Sequence, residues 1–174
     1  MTIAGLAFGW AFCGYLAVVI AVASLLHYLR SMPRFFSLVS LPGTIGHELL
    51  HFLLGTLTLA RPVRVSLLPK FHRDGSATLG YVMFSNIRWY NALWVGFAPL
   101  LALPAAIVLV YIRAAQIPPL NAVELGWCYV AASLTYSCLP SRADLDIVLS
   151  KPVGLAIYVL CAATLIWLWI SKTA

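Results

Sequence analysis

The chain has 174 residues, 63% of them hydrophobic and 9% charged, against roughly 45–50% apolar and about 25% charged in an ordinary soluble domain. A fold of this length could not hide so much apolar surface from water, which excludes a soluble globular protein and makes lipid the expected solvent. The formal charge is +6, but the basic residues stand singly or in pairs at the ends of apolar stretches. Membrane orientation puts them there, and no nucleic-acid partner is called for.

A spanning helix needs about 20 mainly apolar residues. In chain order the first candidate is Ile3 to Leu29. No basic residue precedes it, and it exceeds the roughly 7–15 residues of a signal-peptide core, so it reads as a retained transmembrane helix. The second is Phe35 to Ala60. Next, Arg61 to Arg88 changes character: Val63 to Leu68 and Ser76 to Phe84 are strand-like, and Asp74-Gly75 between them is a turn dipeptide. A β-hairpin over about 62–85, at or dipping into the membrane face, is expected. Trp89 to Ile112, Ala122 to Leu139 and Val153 to Ile170 complete the spans, with Trp89, Tyr90, Trp127, Trp167 and Trp169 near their ends as interfacial anchors. The expected fold is an all-α membrane protein, one polytopic domain of about five transmembrane helices with a small membrane-associated hairpin between the second and third. Cys13, Cys128, Cys138 and Cys161 form no C-x-x-C pair and read as small buried hydrophobes.

With five spans, the hairpin loop and the Pro140–Pro152 loop share a face that carries Arg61, Arg64, Lys70, Arg73, Arg88, Arg142 and Lys151. The other face carries Arg30, Arg34, Arg113 and Lys172. The excess of basic residues makes the hairpin face, and the N-terminus with it, cytoplasmic.

His47-Glu48-Leu49-Leu50-His51 lies inside the second span. On a helix His47 and His51 project from one face, one turn apart, so both imidazoles can bind a single Zn²⁺ at about 2.0–2.1 Å. Glu48, beside the first ligand, is placed to take a proton from water rather than to bind the metal, the role this pattern assigns it. Ionisable residues deep in a membrane are costly and mark function. A third ligand must come from elsewhere. Asp74, Glu124, Asp144, Asp146, His27 and His72 are the remaining candidates. If the chain turns back into the protein after Pro140, Asp144 or Asp146 can reach the metal, with Asp144 preferred and Asp146 the alternative. Ser141-Arg142-Ala143-Asp144 also reads as a capping box, which does not exclude ligation. Asp74 suits the hairpin turn, and His27 and His72 suit membrane edges.

The chain here resembles the site-2 protease family of intramembrane zinc metalloproteases. The resemblance rests on His47 to His51 within an apolar helix, on Gly96-Phe97-Ala98-Pro99-Leu100, and on Leu139-Pro140 followed by Asp144-Leu145-Asp146. Ala98-Pro99 stands where the family has Gly-Pro, the family's asparagine is missing near Ser137, and no glycine follows either aspartate. No PDZ-like insertion separates the motifs, so the chain looks like a minimal or divergent member. The resemblance implies zinc-dependent hydrolysis of peptide bonds in a membrane protein or peptide substrate, with the aspartate as third ligand. A bacterial-type inner membrane, with the site towards the cytoplasmic side, is the expected location. A transmembrane substrate hides its amides in its own helix and must unwind locally. A hairpin strand near Ser76, Thr78 and Gly80 could hold the unwound segment by β-augmentation. Competing readings are a zinc-dependent hydrolase of a lipid or small amide, and a non-catalytic metal-binding scaffold.

Overall fold

A computed structural model describes residues 3–72, 77–116 and 120–173. The chain is mostly helical, and three of its helices are long and apolar enough to cross a membrane: Phe8–Leu29, Ala98–Ala115 and Pro152–Lys172, with mean hydropathies of 2.1, 1.9 and 2.3. At about 1.5 Å per residue these reach roughly 27–33 Å, the thickness of a bilayer's hydrocarbon core.

The first helix, α1 (Ile3–Leu29), runs unbroken. The second expected span is not one rod. It divides into α2 (Pro33–Val39) and α3 (Leu41–Leu57), with the break at Ser40. Pro42, in the first turn of α3, has no N–H to continue the ladder, so α2 ends before it. The third expected span is divided too, into α4 (Ala92–Gly96), a 3₁₀ turn (Ala98–Leu101) that contains Pro99, and α5 (Ala102–Ala115). Then come α6 (Ala122–Tyr136), the short α7 (Arg142–Leu149) and α8 (Pro152–Thr173). At 17 and 15 residues, α3 and α6 are shorter than the three long apolar helices.

Helices α1, α5 and α6 pack around Tyr15, Val19, Ala106, Val110, Ala114, Cys128, Ala131 and Ala132. Small side chains dominate there because lipid is as apolar as leucine, so close van der Waals approach, rather than escape from water, holds such helices together. Large apolar groups accordingly face outward, among them Trp167 and Trp169 on α8, at 67% and 68% exposure. Of the four cysteines, Cys128 and Cys138 are buried, whereas Cys13 and Cys161 lie on the outer surface.

The hairpin consists of an outer ladder, β1 (Pro62–Ser66) with β4 (Tyr81–Phe84), and an inner ladder, β2 (Lys70–Phe71) with β3 (Ala77–Thr78), both antiparallel. Its Asp74-Gly75 turn lies outside the described residues. Leu59 and Arg61 adopt left-handed φ values of 61° and 56°, which reverses the chain after α3. The hairpin therefore runs back along α3: Phe84 lies against Gly55, and Gly80 against Glu48. Asn91, fully buried, fastens this corner by donating from Nδ2 to the carbonyls of Thr58 (3.2 Å) and Asn86 (3.0 Å).

Candidate metal centre

His47 and His51 project from one face of α3, as their four-residue spacing requires, and their Nε2 atoms lie 3.2 Å apart. Each ring's Nδ1 meets a main-chain carbonyl: Ser137 O at 2.7 Å from His47 and Val95 O at 2.8 Å from His51. A carbonyl can only accept, so both Nδ1 atoms carry the proton and both Nε2 atoms present a lone pair.

Proline frees one of these carbonyls directly, and the end of α6 frees the other. In a continuous helix the Val95 carbonyl would accept from the residue four places on, and that residue is Pro99, which has no N–H. Helix α6 ends at Tyr136, ahead of Pro140, and the Ser141 N–H that a longer helix would offer to Ser137 binds the Asp144 carboxylate instead, at 2.7 Å. Close approach of the helices completes the arrangement. A Cβ on Gly43 would collide with the Ser133 carbonyl oxygen, so only glycine lets α3 lie this near α6. The Gly43 N–H donates to Ser133 Oγ at 2.9 Å across the same contact.

Asp144 comes from the first turn of α7, which contacts α4. Its Oδ2 lies 3.4 Å from His47 Nε2, and its Oδ1 lies 3.0 Å from His51 Nε2. The capping box is also formed, since Ser141 Oγ accepts from the Asp144 N–H at 3.3 Å. One side chain thus serves both roles, because the cap fixes the rotamer that points the carboxylate at the imidazoles. Burial alone would raise the Asp144 carboxyl. The Ser141 main-chain N–H, donating to Oδ2 at 2.7 Å, and a cation held between the three side chains would offset that and keep the group ionised. Asp146, two residues on, is exposed and takes no part in this group.

Two lone pairs and a carboxylate converge with no donor among them, an arrangement that a cation resolves. Tetrahedral Zn²⁺ at about 2.0–2.1 Å from its ligands separates them by roughly 3.3–3.4 Å, close to the 3.2 Å between the two Nε2 atoms, each of which has one Asp144 oxygen at 3.4 or 3.0 Å. His47, His51 and Asp144 therefore fit a metal ion. Imidazole and carboxylate together suit zinc and other divalent first-row metals alike.

Glu48 is buried beside His47, at 7% exposure. Gly80 of the hairpin is pressed against it: a Cβ there would stand 2.7 Å from Glu48 Cγ and 3.0 Å from the Ser66 carbonyl oxygen. Both residues, with the metal triad, line a cavity of about 890 Å³ bounded by α1, α2, α3, α6, α7 and the hairpin. Among the proposed strand residues, Gly80 faces this cavity, Thr78 pairs with His72 at 2.9 Å, and Ser76 lies outside the described residues. Of the other third-ligand candidates, Glu124 is held by Tyr15 and Arg113, His72 is exposed, and His27 lines the cavity against Tyr136, outside the triad. Asp74 lies outside the described residues. Sequence reasoning missed the two orienting carbonyls, since a main-chain acceptor leaves no mark on residue type. Pro99, which frees one of them, was the available signal.

No protein-family model, no curated protein and no solved structure matches the chain, so its function has to be read from the site itself.

Proposed function

We propose that this chain is an intramembrane zinc metalloprotease that hydrolyses peptide bonds of membrane-embedded or juxtamembrane substrates. The observation that carries the reading is the convergence of His47, His51 and Asp144 on one point, with the Glu48 carboxylate beside it on the wall of a large cavity.

Zinc held by the triad would polarise the scissile carbonyl and lower the pKa of water towards neutrality. The protein's own groups do the rest. The Ser137 and Val95 carbonyls keep both imidazoles in the Nδ1–H tautomer. Glu48 takes a proton from the attacking water as the new C–O bond forms, then returns it to the leaving nitrogen as the C–N bond breaks. Strand β4 pairs with β1 on one edge only and contributes Tyr81 and Val82 to the cavity, which suits it to hold an unwound substrate strand by main-chain hydrogen bonds. The proposed topology is multi-pass. Helices α3 and α6 cross with the three longer ones, and the hairpin face is cytoplasmic in a bacterial-type inner membrane, following the basic residues.

The test uses full-length protein in proteoliposomes, with zinc quantified alongside cleavage of a panel of transmembrane peptides. Cleavage that Glu48→Gln abolishes while zinc remains stoichiometric is expected. Zinc-loaded wild type that cuts none of the panel sinks the proposal. A second reading, hydrolysis of a lipid or small amide, has support of its own, since the cavity's volume and apolar lining also suit a small ligand. Glu48-dependent turnover in a lipid extract, without peptide cleavage, would select it.

A further inference from the structure

The cavity that holds the metal triad also reaches the far end of α1, where His27 and Arg30 line it. The two are three residues apart at the end of that helix, Arg30 beginning the turn into α2. His27 packs its ring against Tyr136, with centroids 6.4 Å apart, and the next residue, Ser137, orients His47. The basic end is therefore joined to the metal centre by adjacent residues of α6. Arg30 has no acidic partner among the described residues, and the acids that line the cavity, Glu48 and Asp144, both stand at the metal centre. A divalent cation there would balance those two carboxylates, which leaves Arg30 as the cavity's uncompensated fixed charge. Arg30 and His27 are both exposed at this end, so the charge is open to a carboxylate that enters there.

We propose that Arg30, assisted by His27, selects peptide substrates that carry a carboxylate at the α1 end of this cavity. The proposal rests on the metalloprotease reading and names its substrate class: an apolar segment with an acidic group at a fixed distance from the scissile bond. Side-chain carboxylates and a chain terminus share this chemistry.

The experiment uses full-length protein in nanodiscs and one apolar peptide in three forms: an internal Glu, the matching Gln, and Gln with a free rather than amidated C-terminus. Binding is read by fluorescence anisotropy on Glu48→Gln protein, and cleavage on otherwise wild-type protein. The Glu form, the free-terminus form, or both should exceed the amidated Gln form by about threefold, the size of a solvent-exposed charge pair. Which of the two does so identifies the carboxylate's source. Arg30→Glu should erase or invert the preference, Arg30→Lys should keep most of it, and zinc content should stay at the wild-type level in both. A carboxylate preference in binding without any cleavage would remove the protease reading and leave this one standing. Cleavage with equal rates for all three forms would do the reverse. Absence of binding by every form, or an Arg30 effect seen only in nanodiscs of anionic lipid, overturns the proposal, the latter in favour of a headgroup anchor.

Discussion

Two polar clusters are buried in this apolar chain, and they are built on opposite principles. In the first, Tyr15 of α1 and Arg113 of α5 converge on Glu124 of α6: the phenol donates to Oε2 at 2.5 Å, Arg113 Nε donates to the same oxygen at 3.1 Å, and Arg113 Nη2 pairs with Oε1. Donors meet acceptors, opposite charges meet, and Asn121 caps the α6 N-terminus beside them. The cluster is complete and serves to bind three helices. In the second, His47, His51 and Asp144 bring acceptors together against acceptors. Left so, they would repel. The contrast teaches how to separate structural from functional polarity within a membrane protein: the structural cluster closes on itself, and the functional one waits for something from outside.

The comparison can be broken most directly at the second cluster. Glu48→Gln should lower peptide turnover by about 10²–10⁴-fold, the usual worth of a positioned general base, while metal content by elemental analysis stays stoichiometric. His51→Ala and Asp144→Asn should instead take bound metal to background. If His51→Ala and Asp144→Asn both kept their metal, the convergence of acceptors would have no cation to explain it. Glu124→Gln should give the opposite pattern, with fewer folded molecules and a lower melting temperature but unchanged metal and turnover per folded molecule. Metal loss there would erase the distinction between the clusters.

Smaller effects sharpen the account of how the ligands are held. Pro99→Ala restores an N–H that competes with His51 for the Val95 carbonyl, and metal affinity measured against a chelator should fall roughly 10–100-fold, as for other outer-shell partners. Ser141→Ala removes one half of the capping box and should cost about 1 kcal/mol in helix stability, which a thermal melt of the metal-free protein would register. It spares the Ser141 main-chain N–H that holds Asp144 Oδ2, so affinity should change less than with Pro99→Ala.

The two histidines were legible in the sequence because their relation is local: four residues of helix fix it whatever the rest of the chain does. The third candidate ligand was only narrowed, with Asp144 preferred and Asp146 the alternative, and the triad contains Asp144. Asp144 and Asp146 differ by roughly 200° around α7, and only the docking of that helix against α4 decides which carboxylate faces inward. The second span reads as continuous from hydropathy alone, since hydropathy does not register the hydrogen bond that Pro42 removes at Ser40.

By itself, the sequence determined the solvent, the apolar helices and the pair of imidazoles, all of which follow from composition and short-range spacing. The hairpin's pairing was foreshadowed in the same way, but not its course back along α3, which depends on the left-handed turn at Leu59 and Arg61. Tertiary structure alone decided that the Val95 and Ser137 carbonyls meet the two histidines, that Gly80 closes on Glu48, and that Arg30 shares a cavity with residues far along the chain. Those relations are contacts between distant segments, set by which helices can approach closely enough to touch.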